Sequence, residues 1–294
     1  MKDLLNKLQS VDLKHSTPDD IRTMLEGYPI TPIEFIINKG TYILRARCGK
    51  GFTKRSELTY CPVKKCTQLQ RATLPNKTMF YGVISDDQGH QENARAVCMS
   101  ECSFLCREGI ESIGREYFSI SYWEVITPLH VASFITDSTF EDCKSNILLT
   151  QLRDAFVKLH KKANSTDEEI AIVQFISDEF AKTVIDKRDY LISATIANDI
   201  IEQGGFDGII YPSVMLGGQG GINISLKPSA VNKKLRYVRV IDHGLYKNKA
   251  QSYLRMESVT ERSSSTTRYF KQFEDNFIAQ KLQVQSIFDL PLIS

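Results

Sequence analysis

The sequence predicts an α+β protein, and three observations carry that expectation. Stretches rich in β-branched and aromatic residues lie near positions 40–48, 78–84 and 114–135, and again over 206–242. A block from about 138 to 203 separates them and carries helical periodicity instead. The chain, at 294 residues, is long enough to bury a substantial core as one large domain or two small ones.

Composition narrows the function classes. Formal net charge is +2, with 37 Lys and Arg against 35 Asp and Glu. Such a balance argues against nucleic-acid binding driven by bulk electrostatics, so no nucleic-acid partner is expected. No apolar run approaches the roughly 20 residues that span a bilayer, and no membrane association is expected. Met1-Lys2-Asp3-Leu4-Leu5 has no signal-peptide core behind it, which places the protein in the cytoplasm. Seven cysteines, an odd number spread along the chain, fit a reducing compartment better than a disulfide scaffold.

In chain order, Leu4, Leu5, Leu8, Val11 and Leu13 form a loose amphipathic pattern. Thr17-Pro18-Asp19-Asp20 reads as a helix start, with Thr17 as N-cap. Tyr28-Pro29-Ile30-Thr31-Pro32 ends that element. Residues 1–38 therefore read as a helical, peripheral arm. Gly40 to Cys48 reads as a strand, in which Arg45 and Arg47 project to one face. Two such arginines suit bidentate recognition of phosphate or carboxylate, although an exposed edge-strand face is the commoner meaning of Arg-x-Arg.

The stretch from Arg71 to Leu105 is the most informative. Pro75-Asn76-Lys77 is turn chemistry, because proline presets φ and asparagine tolerates left-handed geometry. Thr78 to Ile84 reads as a strand, with Gly82 as a weak point. After a polar loop, Asn93 caps an expected helix from Ala94 to about Arg107. Val97, Glu101, Phe104 and Leu105 fall on one stripe of it. A carboxylate inside an apolar stripe is either paired, at the stripe edge, or held for chemistry.

Gly114 to Ile126 reads as a strand or strand pair, continued from Leu129 to Ile135. Helices are expected over Ser145–Lys162, Asp167–Lys187 and Asp189–Gln203, with a capped start at Thr166 and a stop at Gly204-Gly205. Phe206 to Ser213 reads as a strand. Gly217-Gly218-Gln219-Gly220-Gly221 leads into another, and four glycines in five residues mean flexibility or close approach of backbone to a ligand. No Gly-Lys-Ser/Thr follows, so this is not a P-loop. Lys234 to Asp242 is strand-like, Ser263 to Thr267 reads as a linker, and Tyr269 to Gln285 as a helix.

Competing chemistries are weak. Cys98, Cys102 and Cys106 would share a helix face, but Cys-x-x-Cys knuckles are missing and no metal is expected. The five histidines are dispersed. Lys64-Lys65 and Lys233-Lys234 read as solvated faces.

The order of these pieces resembles the RES family, named for Arg, Glu and Ser. Arg45 stands on an early strand, and Arg71 precedes a turn and the strand with Phe80-Tyr81. Glu101 stands on a helix, and Tyr211-Pro212-Ser213 is followed by glycines and Gly221-Ile222-Asn223. The similarity covers roughly residues 40–130 and 200–228. Some members carry a tyrosine directly after the first arginine, where this chain has Ala46. The resemblance implies a fold similar to ADP-ribosyltransferases, with a bent central mixed sheet enclosing an NAD cleft. It implies NAD as substrate and cleavage of the nicotinamide–ribose bond with water or phosphate as acceptor, in toxins of toxin–antitoxin pairs. Arg45, Glu101 and Ser213 would be the catalytic residues. Arg45, Arg71, Tyr81, Tyr211, Ser213 and Asn223 would bind NAD. The expected organisation is an arm over 1–38, a catalytic domain over 39–245 with the helical block inside it, and a linker with a helical tail over 246–294. Expected partners are NAD, an antitoxin or regulatory protein, and a second copy of the chain. A protein ADP-ribosyltransferase using the same cleft, and a non-catalytic module binding a nucleotide or a partner, are the alternatives.

Overall fold

In the computed structural model, the described residues are all but 1, 29, 53, 86–90, 108–110, 138, 140–145, 214–220, 250, 262–265, 269–270 and 294. The glycines at 217–220 thus lie outside the described residues. The strands are β1 (Ile33–Ile37), β2 (Tyr42–Cys48), β3 (Phe80–Ile84), β4 (Ile113–Val125) and β5 (Leu129–Ser133). They continue with β6 (Gly208–Pro212), β7 (Ile222–Leu226), β8 (Leu235–Asn248), β9 (Gln251–Glu261) and β10 (Thr266–Arg268). The helices are α1 (Lys2–Gln9), α2 (Pro18–Leu25), α3 (Arg55–Leu58), α4 (Gln91–Cys102) and α5 (Phe104–Arg107). After these come α6 (Ile147–Ala163), α7 (Asp167–Ala181), α8 (Leu191–Gln203), α9 (Pro228–Lys234) and α10 (Lys271–Lys281). The protein is α+β with mixed β-sheet. Its chain divides into two units that alternate along the sequence. Unit 1 takes Met1–Lys39, Tyr60–Tyr81 and Val125–Leu235, and unit 2 takes Gly40–Thr59, Gly82–Glu124 and Arg236–Ser294.

In unit 1 the strand order is β1-β5-β6-β7. β1 and β5 are antiparallel, β5 and β6 parallel, and β6 and β7 antiparallel. A parallel pair needs a long crossover, and α6, α7 and α8 provide it between β5 and β6. Their boundaries follow local chemistry. Thr166 and Glu169 form a capping box at the start of α7. Asn164 adopts a left-handed conformation after α6, and Gly204 caps α8. The first 38 residues, expected as a peripheral arm, sink into the same core instead. Leu4 and Leu8 of α1 and Ile21 of α2 are buried with Ile176 and Phe180 of α7 and Leu191 of α8. Each such side chain removes apolar area worth about 1.5–3 kcal/mol from water. Thr17 does cap α2, in a capping box with Asp20.

In unit 2 the order is β3-β2-β4-β8-β9-β10. The β2–β3, β2–β4, β8–β9 and β9–β10 pairs are antiparallel. Residues 251–261 were expected to be linker, yet they form β9, paired along nearly its whole length with β8. α10 follows, shorter than its expected span, and Ile278, Ala279 and Leu282 cover Tyr246 of β8. The last residues run beside β4: Arg115 donates its N–H to Pro291 O at 2.7 Å and its carbonyl accepts the Ile293 N–H at 2.9 Å.

Two buried polar clusters hold these strands in register. The register shifts at Asp242/His243 in β8. There the Asp242 carboxylate accepts the Ser119 hydroxyl at 2.5 Å, the Gly51 N–H at 3.0 Å and the Ser258 hydroxyl at 2.9 Å. Further along, Arg255 donates to Glu257 and Asp275 and to the Tyr246 hydroxyl, which itself donates to Glu257 at 2.6 Å. Burial opposes ionisation of Glu257, but Tyr246 and Arg255 overcome it and hold that carboxyl below its usual range. Gly244 makes room for the cluster, since a Cβ there would lie 2.6 Å from the Glu257 carboxylate.

Gly208 opens β6 for a similar reason. A Cβ on it would collide with the Ser225 carbonyl oxygen and approach Leu226 Cα to 3.0 Å, both backbone of β7. Backbone cannot rotate aside, so Gly208→Ala should force β6 and β7 apart. The expected loss is about 1–3 kcal/mol or more, read from the midpoint of denaturant unfolding. An unchanged midpoint would contradict this packing.

Candidate functional site

Five of the expected site residues belong to unit 1: Arg71, Tyr81, Tyr211, Ser213 and Asn223. Their placement begins with the β6–β7 ladder. Tyr211 is opposite Asn223, and Ile209 is opposite Ser225. Alternation therefore puts Tyr211, Ser213, Asn223 and Ser225 on one face. All four are buried. The Tyr211 hydroxyl is 3.4 Å from Ser225 Oγ, and Ser225 also hydrogen-bonds the Tyr81 hydroxyl. Tyr81 additionally takes the Ala72 N–H at 3.2 Å and lies 2.5 Å from the Thr73 hydroxyl. Burial pushes the Tyr81 phenol up to about 12, with these bonds opposing the shift.

Arg71 joins the same cluster. Its guanidinium lies over the rings of Tyr190, at 5.0 Å, and Tyr211, at 5.8 Å. It donates to the Phe180 and Lys182 carbonyls at 2.5 and 3.0 Å, which closes the C-terminus of α7. The turn before Tyr81 is the expected one, with Asn76 at φ 63. Ser213 has its N–H bonded to Gly221 O at 2.8 Å, which draws the ends of the glycine-rich segment together.

Arg45 and Glu101 belong to unit 2. α4 packs on β2, with Ala94, Val97 and Cys98 buried and Glu101 exposed at the edge of the stripe. The expected helix to Arg107 breaks at Ser103. There the Glu116 carboxylate, reaching from β4, accepts the Ser103 hydroxyl at 2.7 Å and the N–H groups of Phe104 and Leu105 at 3.1 and 3.2 Å. These bonds start α5 afresh. Cys98 feels the charge of two of the three expected catalytic residues, Glu101 and Arg45. Its thiol is pushed well up, first by burial and then by the Glu101 carboxylate, against the Ala46 backbone and the Arg45 guanidinium. Arg47, on the same face of β2 as Arg45, is spent on the Glu57 carbonyl and the Phe52 ring.

The structure adds residues that the sequence pattern left unread. Arg95 of α4 hydrogen-bonds the buried Tyr122 hydroxyl, and the Arg239 guanidinium lies 4.6 Å from the Tyr122 ring centre. Burial raises the Tyr122 phenol and the two arginines oppose it. Among the described residues, the buried Arg239 Nε–H meets no acceptor. Arg239 had a weak signal at best, as one arginine in a strand-like stretch.

A cavity of about 690 Å³ lies within unit 1, between α2 and α8. Arg22, Leu25, Tyr28, Ile196, Asp199 and Phe206 line part of it, and none of the expected site residues does. Arg22 is committed there to a bidentate pair with Asp199. Among the described residues, no group of three or more His, Cys, Asp or Glu side chains is placed to hold a metal ion. No helix among them is long and apolar enough to cross a membrane. No family model matches the chain, and no curated protein matches it.

His243 offers a pH test of the unit 2 packing. It stacks on Phe118 at 5.2 Å and its Nδ1 bonds Ile241 O at 3.0 Å. Burial pulls its pKa down to about 4, so the folded state holds it neutral. Its stabilising effect is complete above the unfolded value near 6.5 and is lost as pH falls toward 4. The loss should reach roughly 3 kcal/mol in urea unfolding, and His243→Phe should remove that part of the pH dependence. An identical pH slope in the variant would contradict a neutral buried His243.

Proposed function

We propose that the chain degrades NAD by cleaving the nicotinamide–ribose bond, with water or phosphate as acceptor, on an ADP-ribosyltransferase-like fold. The observation that carries this reading is on unit 2. An exposed carboxylate, Glu101, shares the α4–β2–β4–β8 assembly with Arg45, Arg95 and Arg239, and among the described residues the buried Arg239 Nε–H meets no acceptor. A pyrophosphate asks for planar cationic donors of this kind. The convergence of Arg71, Tyr81, Tyr211, Ser213 and Asn223 in unit 1 supports the same reading, because the resemblance nominated them from separate parts of the chain.

The proposed chemistry follows from the residue types. As the C–N bond breaks, nicotinamide leaves neutral with the bonding pair and the ribose carbon becomes cationic. Glu101 stabilises that charge and orients the acceptor. Water then adds as hydroxyl and releases a proton, or phosphate adds through oxygen. Ser213 is not assigned as a nucleophile. The transferase alternative needs a surface for a protein target, and the helical block turns Phe156, Ile172, Ile176 and Phe180 into the unit 1 core. Hydrolysis or phosphorolysis is therefore favoured.

Glu101→Gln should lower nicotinamide release at least about 100-fold and leave NAD binding within a few-fold, since Glu101 is exposed and its loss leaves no cavity. Arg239→Met should instead weaken binding about tenfold. Labelled ADP-ribose on protein would select the transferase. Undiminished turnover in Glu101→Gln would remove the carboxylate from the mechanism.

A further inference from the structure

α4 on β2 also brings two cysteines together. Cys48 ends β2 and Cys102 ends α4. The Cys48 thiol donates to the Cys102 carbonyl oxygen at 3.3 Å, which sets it against the last residue of α4. Cys48 is exposed and Cys102 half-buried, so one thiol meets solvent and the other waits behind it. Their neighbours are Glu116 and Arg107. With the Cys48 sulfur already on the Cys102 backbone and the two elements packed, rotation of the Cys102 side chain would bring the sulfurs toward the S–S length of about 2.05 Å.

We propose that Cys48 and Cys102 form a redox site, in which Cys48 reacts with a peroxide and Cys102 resolves the product to an intramolecular disulfide. Cys48 sulfur attacks one peroxide oxygen, the O–O bond breaks, and water leaves with one proton, giving a sulfenic acid on Cys48. Cys102 sulfur attacks the Cys48 sulfur, its proton passes to the departing hydroxide, and a second water leaves. Two thiols are oxidised by two electrons and one peroxide is reduced to two waters. Small thiols reverse the reaction by exchange.

Local electrostatics suit this division of labour. The hydrogen bond from Cys102 is the largest influence on Cys48 and, with help from Arg107, draws its thiol down to about 6 against burial and Glu116. The same contact and burial hold Cys102 protonated. Cys106, the other exposed thiol among the described residues, serves as the internal comparison. The disulfide would tie the last turn of α4, which carries Glu101, to the end of β2.

The test treats the reduced full chain with one equivalent of hydrogen peroxide and maps the products by peptide mass spectrometry. The expected result is a Cys48–Cys102 cross-link that dithiothreitol reverses, with Cys48 consumed at least tenfold faster than Cys106. Cys102→Ser should stop at a sulfenic acid on Cys48 that dimedone traps. Equal consumption of Cys48 and Cys106, or cross-links confined to other cysteines or between chains, would overturn the proposal. This readout is chemical and does not depend on NAD turnover.

Discussion

The seating of α4 on β2 is the constraint on which unit 2 depends. Cys98 is small enough to sit at the contact, where a larger residue would crowd β2. It leaves Glu101 outside and Arg95 reaching to Tyr122. The helix stops where it does because Glu116 supplies a carboxylate to the next N–H groups. The α4 helix thus ends at Cys102, one residue past Glu101.

Unit 1 is organised by a different device. The β5–β6 parallel pair requires a helical crossover, and its apolar faces join α1 and α2 in one core. Polar groups enter this core only where they satisfy one another. Tyr81, Tyr211 and Ser225 share hydrogen bonds, and Arg71 ends α7 while stacking on two tyrosines. Such a cluster holds its members in one arrangement, because any of them left unpaired would cost about 1–3 kcal/mol. That rigidity is what a small polar ligand would require of its site.

Much of the fold was legible because it depends on neighbours in sequence. Thr17, Asn76, Thr166 and Gly204 act where their local chemistry says they should. What was not legible depends on distant partners. β9 reads as polar in isolation and becomes a strand against β8. The break at Ser103 is imposed by Glu116, thirteen residues later in the chain. Leu4 and Leu8 look like one face of a loose arm until α7 covers them. The candidate site divides in the same way. Residue types and order pointed to Arg45 and Glu101, whereas Arg95 and Arg239 gain meaning only from Tyr122.

The most direct test of the central claim is product analysis after incubating the purified chain with NAD, in buffers with and without phosphate. The account predicts free nicotinamide in both, with ADP-ribose in water or a phosphorylated ADP-ribose when phosphate is the acceptor. No nicotinamide in either buffer, together with no NAD binding in a calorimetric titration, would contradict it.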